Sequence, residues 1–262
     1  SSAASDVYKR QIQVLSSNAK NPCAYPTGIQ SWKLLSFDME IEDQQPKVFD
    51  KDKTIKNNQN NVIQNPPQEV VSQLVYLFNQ GQFAVVAEQA KILTKQYPTA
   101  LLVWNILGAS RSKIGMLDEA IDAYKKSIML NPNDGDTYYN MGIALKEQGK
   151  LEEAIDAYNK ALLLKPDHAE TYNNLGIVLQ AQGMLEKAIQ AYNRSISLNP
   201  NYAEAYNNLG NVLVDLDKLD EAVDTYNKAL AIQSDYAETN YNLSFLYNLK
   251  GYLQKGLELY EW

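Results

Sequence analysis

The chain has 262 residues, with 24 basic and 31 acidic side chains and a formal charge of −7. That surplus repels a phosphate backbone and argues against nucleic acid as a partner. No apolar run approaches the roughly 18 residues that crossing a bilayer requires, so a membrane partner is not expected, and no basic-then-apolar signal opens the chain.

Residues 1–66 show no periodicity. Ser1–Gln11, reading Ser-Ser-Ala-Ala-Ser and then Asp-Val-Tyr-Lys-Arg-Gln, has the look of an adapter-derived scar and is set aside. The lone cysteine, Cys23, cannot close an internal disulfide. Trp32–Phe37 is the one apolar patch of this stretch, and the Asn- and Lys-rich run Lys51–Asn61 is too polar to repay the entropy of ordering. Residues 1–66 therefore read as a largely disordered linker.

From Pro67 the composition turns acidic, with 16 basic against 24 acidic residues. A 34-residue pattern is written three times between Gly135 and Tyr236: Tyr138, Tyr172 and Tyr206; Gly142, Gly176 and Gly210; Ala154, Ala188 and Ala222; Tyr158, Tyr192 and Tyr226. Each copy reads as two helices. In the copy starting at Ala169, Glu170–Gln182 can form the first, and Leu185–Asn199, apolar or small at steps of three and four, the second. Gly183 supplies the turn between them, and Pro200 ends the copy.

The same register divides the region into five units, 67–100, 101–134, 135–168, 169–202 and 203–236, with a sixth, incomplete unit at 237–262. The first keeps Gly81 and Pro98 but has Gln73-Leu74 where later units have Leu-Gly or Met-Gly, and it reads as an N-terminal cap. Asp217 replaces the turn glycine and Ser234 the proline in the fifth unit, substitutions expected to soften its helix boundaries without moving the period. In the sixth, Asn240 and Ser244 replace the aromatic and the glycine, and the apolar stripe of Leu257, Tyr260 and Trp262 suggests a natural chain that continues.

Counted within a unit, Trp or Tyr at position four, Leu-Gly at seven and eight, Ala at twenty, Tyr at twenty-four, Ala or Ser at twenty-seven and Pro at thirty-two resemble the tetratricopeptide repeat. The resemblance covers about 170 residues well. It implies an all-α, right-handed superhelical solenoid of antiparallel helix pairs. The wording Ala-Glu-(Ala/Thr)-Tyr-Asn-Asn-Leu-Gly also resembles the repeats that precede protein O-linked N-acetylglucosamine transferase domains and related bacterial glycosyltransferases.

Catalytic constellations are missing. His168 is the single histidine, which leaves no metal cluster, no Ser-His or Cys-His pair and no sign of a cofactor. The acidic pairs Glu152-Glu153 and Asp220-Glu221 open second helices, where the helix dipole favours them.

What the resemblance offers instead is a groove. It implies that positions two, five, six, nine and twelve of each unit line the concave side. Those positions hold Asn105, Tyr139, Asn173, Asn207 and Tyr241 at five, Asn140, Asn174, Asn208 and Asn242 at six, and Asn211 at nine, edged by Asp136, Glu170, Glu204 and Glu238 at two. A primary amide both donates and accepts, so such a column can pair with the backbone of an extended protein or peptide ligand. Four amides making two bonds each give about 4–12 kcal/mol, against an association cost of about 4–15 kcal/mol, so the column alone binds weakly. The alternative use of these amides, bonding neighbouring turns to fix repeat geometry, stays open. Family members that grip a chaperone C-terminal EEVD-type carboxylate do so with Lys, Arg and Asn. The corresponding places here hold Asn105, Ala109, Asn140, Glu170 and Asn174, so that ligand is not expected.

The expected function is a cytoplasmic, non-catalytic scaffold for extended peptides. The alternative is the substrate-recognition part of a glycosyltransferase or other transferase whose catalytic domain lies outside this chain.

Overall fold

A computed structural model describes residues 65–260, the side chain of Tyr260 excepted. The expectations placed on residues 1–64 and on Trp262 lie outside the described residues. From Gln68 onward the described chain is a series of helices: α1 (Gln68–Asn79), α2 (Phe83–Gln96), α3 (Leu101–Lys113), α4 (Leu117–Leu130), α5 (Gly135–Glu147), α6 (Leu151–Leu164), α7 (Ala169–Ala181), α8 (Leu185–Leu198), α9 (Ala203–Asp215), α10 (Leu219–Ile232), α11 (Ala237–Leu249) and α12 (Leu253–Tyr260). They pack as consecutive antiparallel pairs, and each pair lies against the next, giving an all-α solenoid.

The period has a simple anatomy. A first helix of 13 residues, a three-residue turn, a second helix of 14 and a four-residue link fill the 34 positions in the four units from Leu101 to Tyr236. The short turn is fixed by one residue in the left-handed region. Gly149 has φ 79° and Gly183 has φ 75°, and beyond them the Lys150 and Met184 amides donate back to the Leu145 and Leu179 carbonyls, closing the orphan end of the first helix.

Asp217 keeps this geometry, with φ 59° and the same return bond from Lys218 N–H to the Leu213 carbonyl at 2.8 Å. α9 and α10 end in the register of α7 and α8, because a short polar side chain tolerates the left-handed region and a link without proline still turns.

The core of each complete unit is a size-matched pair. Tyr124, Tyr158, Tyr192 and Tyr226 on the second helices are at most 1% exposed, and each ring covers a first-helix glycine of its own unit. A Cβ on Gly142 would stand 2.6 Å from the Tyr158 ring, and one on Gly176 2.5 Å from Tyr192. Gly108 and Gly210 meet Tyr124 and Tyr226 in the same way. The aromatic ring takes the space the missing side chain leaves, so the two helix axes approach without a void.

The cap solves the same problem with the sizes reversed. Leu74 and Ala90 occupy the glycine and tyrosine columns and are both buried, large on the first helix and small on the second. They join one core with Val86, Val103 and Ile106, which continues into the next unit.

The sixth unit is altered but keeps its bonds. Ser244, in the glycine column, donates to the Gly256 carbonyl at 2.7 Å. Asn240, in the aromatic column, donates to the Ser234 carbonyl at 3.0 Å, the bond that Trp104 makes to Pro98.

Candidate functional site

The residues expected to line a groove sit on the first helices α3, α5, α7, α9 and α11, and the structure links most of them from unit to unit. The rule is regular. The position-six amide of one unit donates to the position-five residue of the unit before it. Asn174 Nδ2 reaches the Tyr139 hydroxyl at 3.4 Å, Asn208 Nδ2 reaches Asn173 Oδ1 at 3.0 Å, and Asn242 Nδ2 reaches Asn207 Oδ1 at 3.5 Å.

Position five in turn faces forward. Asn173 donates to Glu204 Oε1 at 3.1 Å and Asn207 to Glu238 Oε1 at 3.0 Å. Thr137 and Thr239 donate to the side-chain Oδ1 atoms of Asn105 and Asn207, both at 2.9 Å, while Asn105 Nδ2 donates to Asp134 at 3.2 Å. Two of the four position-two carboxylates edging this face, Glu204 and Glu238, are thereby engaged, and so are the other two: Asp136 accepts from Lys165, and Glu170 lies 3.5 Å from His168 Nε2.

Burial separates the candidates into two groups. Asn173 and Asn207 have no exposed surface, and Asn105, Tyr139, Asn140 and Asn174 are also buried. Asn208, Asn211 and Asn242 remain partly open to solvent, and Tyr241 is 54% exposed. The open amides lie toward the C-terminal end of the array. There Asn211 accepts from the Tyr226 hydroxyl at 2.6 Å and from Asn242 Nδ2 at 3.0 Å. The ladder is interrupted at Asn140, whose Oδ1 is buried without a hydrogen-bond partner.

Several residues that sequence reasoning passed over shape the N-terminal half of this face. Lys146, at position twelve, donates to Asn174 Oδ1 at 2.9 Å. Burial holds its ammonium below the usual lysine range, opposed by Glu147 and Glu204, and burial raises the Glu147 carboxyl. Position twelve was among those expected on this face, so a lysine there could have been found by reading down the column.

Arg111 stands in the column of Leu145, Leu179 and Leu213. It is 4% exposed, with Nη2 2.7 Å from Glu88 and Nε 3.3 Å from Glu119. The buried guanidinium ties the cap to the second unit, and its two carboxylate partners offset its desolvation.

His168 is committed to local structure. Nδ1 lies 2.6 Å from Thr171 Oγ1, and the ring packs edge-on against Tyr139, with centroids 4.9 Å apart. Among the described residues no group of three His, Cys, Asp or Glu could hold a metal ion, and no helix is long and apolar enough to cross a membrane.

Tetratricopeptide repeat models match residues 133–201 and 191–224, and a TPR repeat model matches 112–149 and 210–251. No curated protein matches the chain. Among solved structures, the crystal structure of MamA is 30% identical, with a TM-score of 0.59 over 63% of this chain and 96% of that one. The structure of YrrB, described as a TPR protein with an unusual peptide-binding site, is 20% identical with a TM-score of 0.56, over 66% and 89%. PilF of Pseudomonas aeruginosa is 16% identical with a TM-score of 0.65, over 73% and 87%. The last two likenesses are of fold alone. With the repeat register, the paired helices, the glycine–tyrosine interlock and these matches in agreement, the chain belongs to the tetratricopeptide repeat family.

Proposed function

We propose that the array, cut into the six units given above, is a non-catalytic interaction module that holds an extended peptide along the first-helix face. The observation carrying this reading is the division within the amide columns. Asn173 and Asn207 are wholly buried and spent on neighbouring units, so within the proposal they set the angle between repeats. Asn208, Asn211, Asn242 and Tyr241 keep exposed surface beside them and touch the ligand. The remaining candidates, Asn105, Tyr139, Asn140 and Asn174, sit behind the surface and hold its N-terminal part in place. The family's fold and the peptide-binding description of the YrrB structure support a peptide as the ligand class.

A panel of extended peptides screened by fluorescence polarisation tests this division. For peptides that bind, Asn208→Ala with Asn242→Ala weakens affinity about 3- to 10-fold, the effect of losing one or two net hydrogen bonds. Asn207→Ala instead lowers unfolding free energy by about 1–3 kcal/mol, because Thr239 and Glu238 lose their partner. Unchanged affinity in the Asn208/Asn242 variant would overturn the assignment of those amides to the ligand.

The glycosyltransferase-associated reading rests on the resemblance of the Asn-Asn-Leu-Gly wording. The comparisons with known proteins add nothing specific to it. Its test is the coding sequence adjoining this chain.

A further inference from the structure

A second groove lies on the other side of the first-helix layer, and the geometry points to it as a docking site for a short amphipathic helix of a partner protein carrying lysine or arginine along one flank. It lies at the junction of the third and fourth units, with α6 and α8 as its walls and α7 as its floor, and encloses about 510 Å³. That volume falls within the range of about 300–1,000 Å³ typical of ligand clefts. The floor is Tyr172, Leu175 and Leu179, spaced by three and four residues along α7. At about 100° per residue that stripe faces almost directly away from Asn173 and Asn174. The site is therefore separate from the amide face, and its occupant does not depend on the peptide proposed there.

Two of the other junctions are bridged by side chains at a place that is unbridged here. Between the second and third units Gln148 Nε2 donates across the junction to Asp118 Oδ1 at 2.6 Å, and between the fifth and sixth Lys250 pairs with Asp220. The equivalent residues at this junction are Gln182 and Glu152. Both line the groove, yet no hydrogen bond joins them among the described residues. The carboxylates of Glu152 and of Asp156 one turn later are exposed, and neither has an ion-pair partner there.

Charge and length select the occupant. The α6 wall presents two uncompensated carboxylates, whereas the α8 wall presents Lys187. A partner thus fits with its basic flank toward α6 and a neutral or acidic flank toward α8. The lining residues of α6 run from Glu152 to Asn159, about 10 Å or two helical turns. That length suits a helix laid in a helical groove through anchors at i, i+3 or i+4, and i+7. Met184, 39% exposed at the rim, offers an adaptable apolar contact.

The test is a selection from displayed 16-residue helical peptides with Leu or Met anchors at that spacing and randomised flanks, panned against the whole chain. Recovered peptides are expected to carry Lys or Arg on one flank. They should bind at least 10-fold more weakly to a Glu152→Lys/Asp156→Lys variant, and to Met184→Asp as a second variant at an exposed side chain. Asn208→Ala with Asn242→Ala should leave them unaffected. Recovery of no binders, of binders without a basic bias, or of binders indifferent to both groove variants would overturn the proposal. Binders lost on the Asn208/Asn242 change would assign the peptide to the amide face and overturn it too.

Discussion

The cap and the four units after it bury the same interface with opposite residues. In the central units a glycine on the first helix receives a tyrosine ring from the second, while in the cap Leu74 is large and Ala90 small. The helix pair requires a matched sum of volumes across two columns, and either order satisfies it. The reversal also changes the chemistry: each tyrosine brings a hydroxyl into the core, which an alanine does not.

That difference predicts a strong alkaline sensitivity in the central units. Burial raises the phenols of Tyr124, Tyr158, Tyr192 and Tyr226 above their ordinary value near 10, as it does those of Tyr139, Tyr202 and Tyr236. The folded chain holds these protons more tightly than the unfolded chain. Their contribution is thus full below about pH 10 and is lost as pH rises toward the folded values, by up to about 1.4 kcal/mol per pH unit for each group. Thermal melts should show a midpoint insensitive to these groups from pH 7 to 9 and a collapse of several kcal/mol by about pH 11. A midpoint that holds above pH 10 would remove the hydroxyls from the account.

The central tyrosines also differ among themselves. Tyr226 donates to Asn211 at 2.6 Å, whereas the Tyr158 hydroxyl is buried without a partner. Tyr226→Phe should lower stability by about 1 kcal/mol, and Tyr158→Phe should raise it by a similar amount, because the second change removes an unsatisfied polar group. Urea denaturation reads both signs. A smaller effect belongs to the turn. Asp217→Gly relieves a left-handed side chain that the other turns lack and should raise the melting midpoint by an amount equivalent to about 0.5–1 kcal/mol. A fall in the midpoint would show that the aspartate itself stabilises that turn.

Much of this architecture was legible in the sequence, because a period of 34 repeats its helix ends as well as its cores. Helix boundaries fell within a residue of those read from Glu170, Gln182, Leu185 and Asn199, and the turn glycines sit in the left-handed region as expected. The cap's exchange was not legible, since reading one column at a time sees only that Leu74 is wrong and not that Ala90 compensates. Asn240 likewise seemed a lost aromatic, yet it keeps the bond to the preceding link, which depends on a carbonyl six residues away. The amide columns were visible as columns, but their roles were not. Asn173 is hydrogen-bonded to Glu204 and Asn208, some 31 and 35 residues along the chain, and only the stack brings them together.

A double-mutant cycle on the fourth unit tests the central claim most directly. Tyr192→Ala alone should cost about 3–5 kcal/mol by opening a cavity, and Gly176→Leu alone about 1–3 kcal/mol or more by overpacking the ring. Together they rebuild the cap's arrangement. Volume complementarity predicts that the double variant recovers at least about 2 kcal/mol of the summed losses in urea denaturation. Strictly additive losses would contradict it.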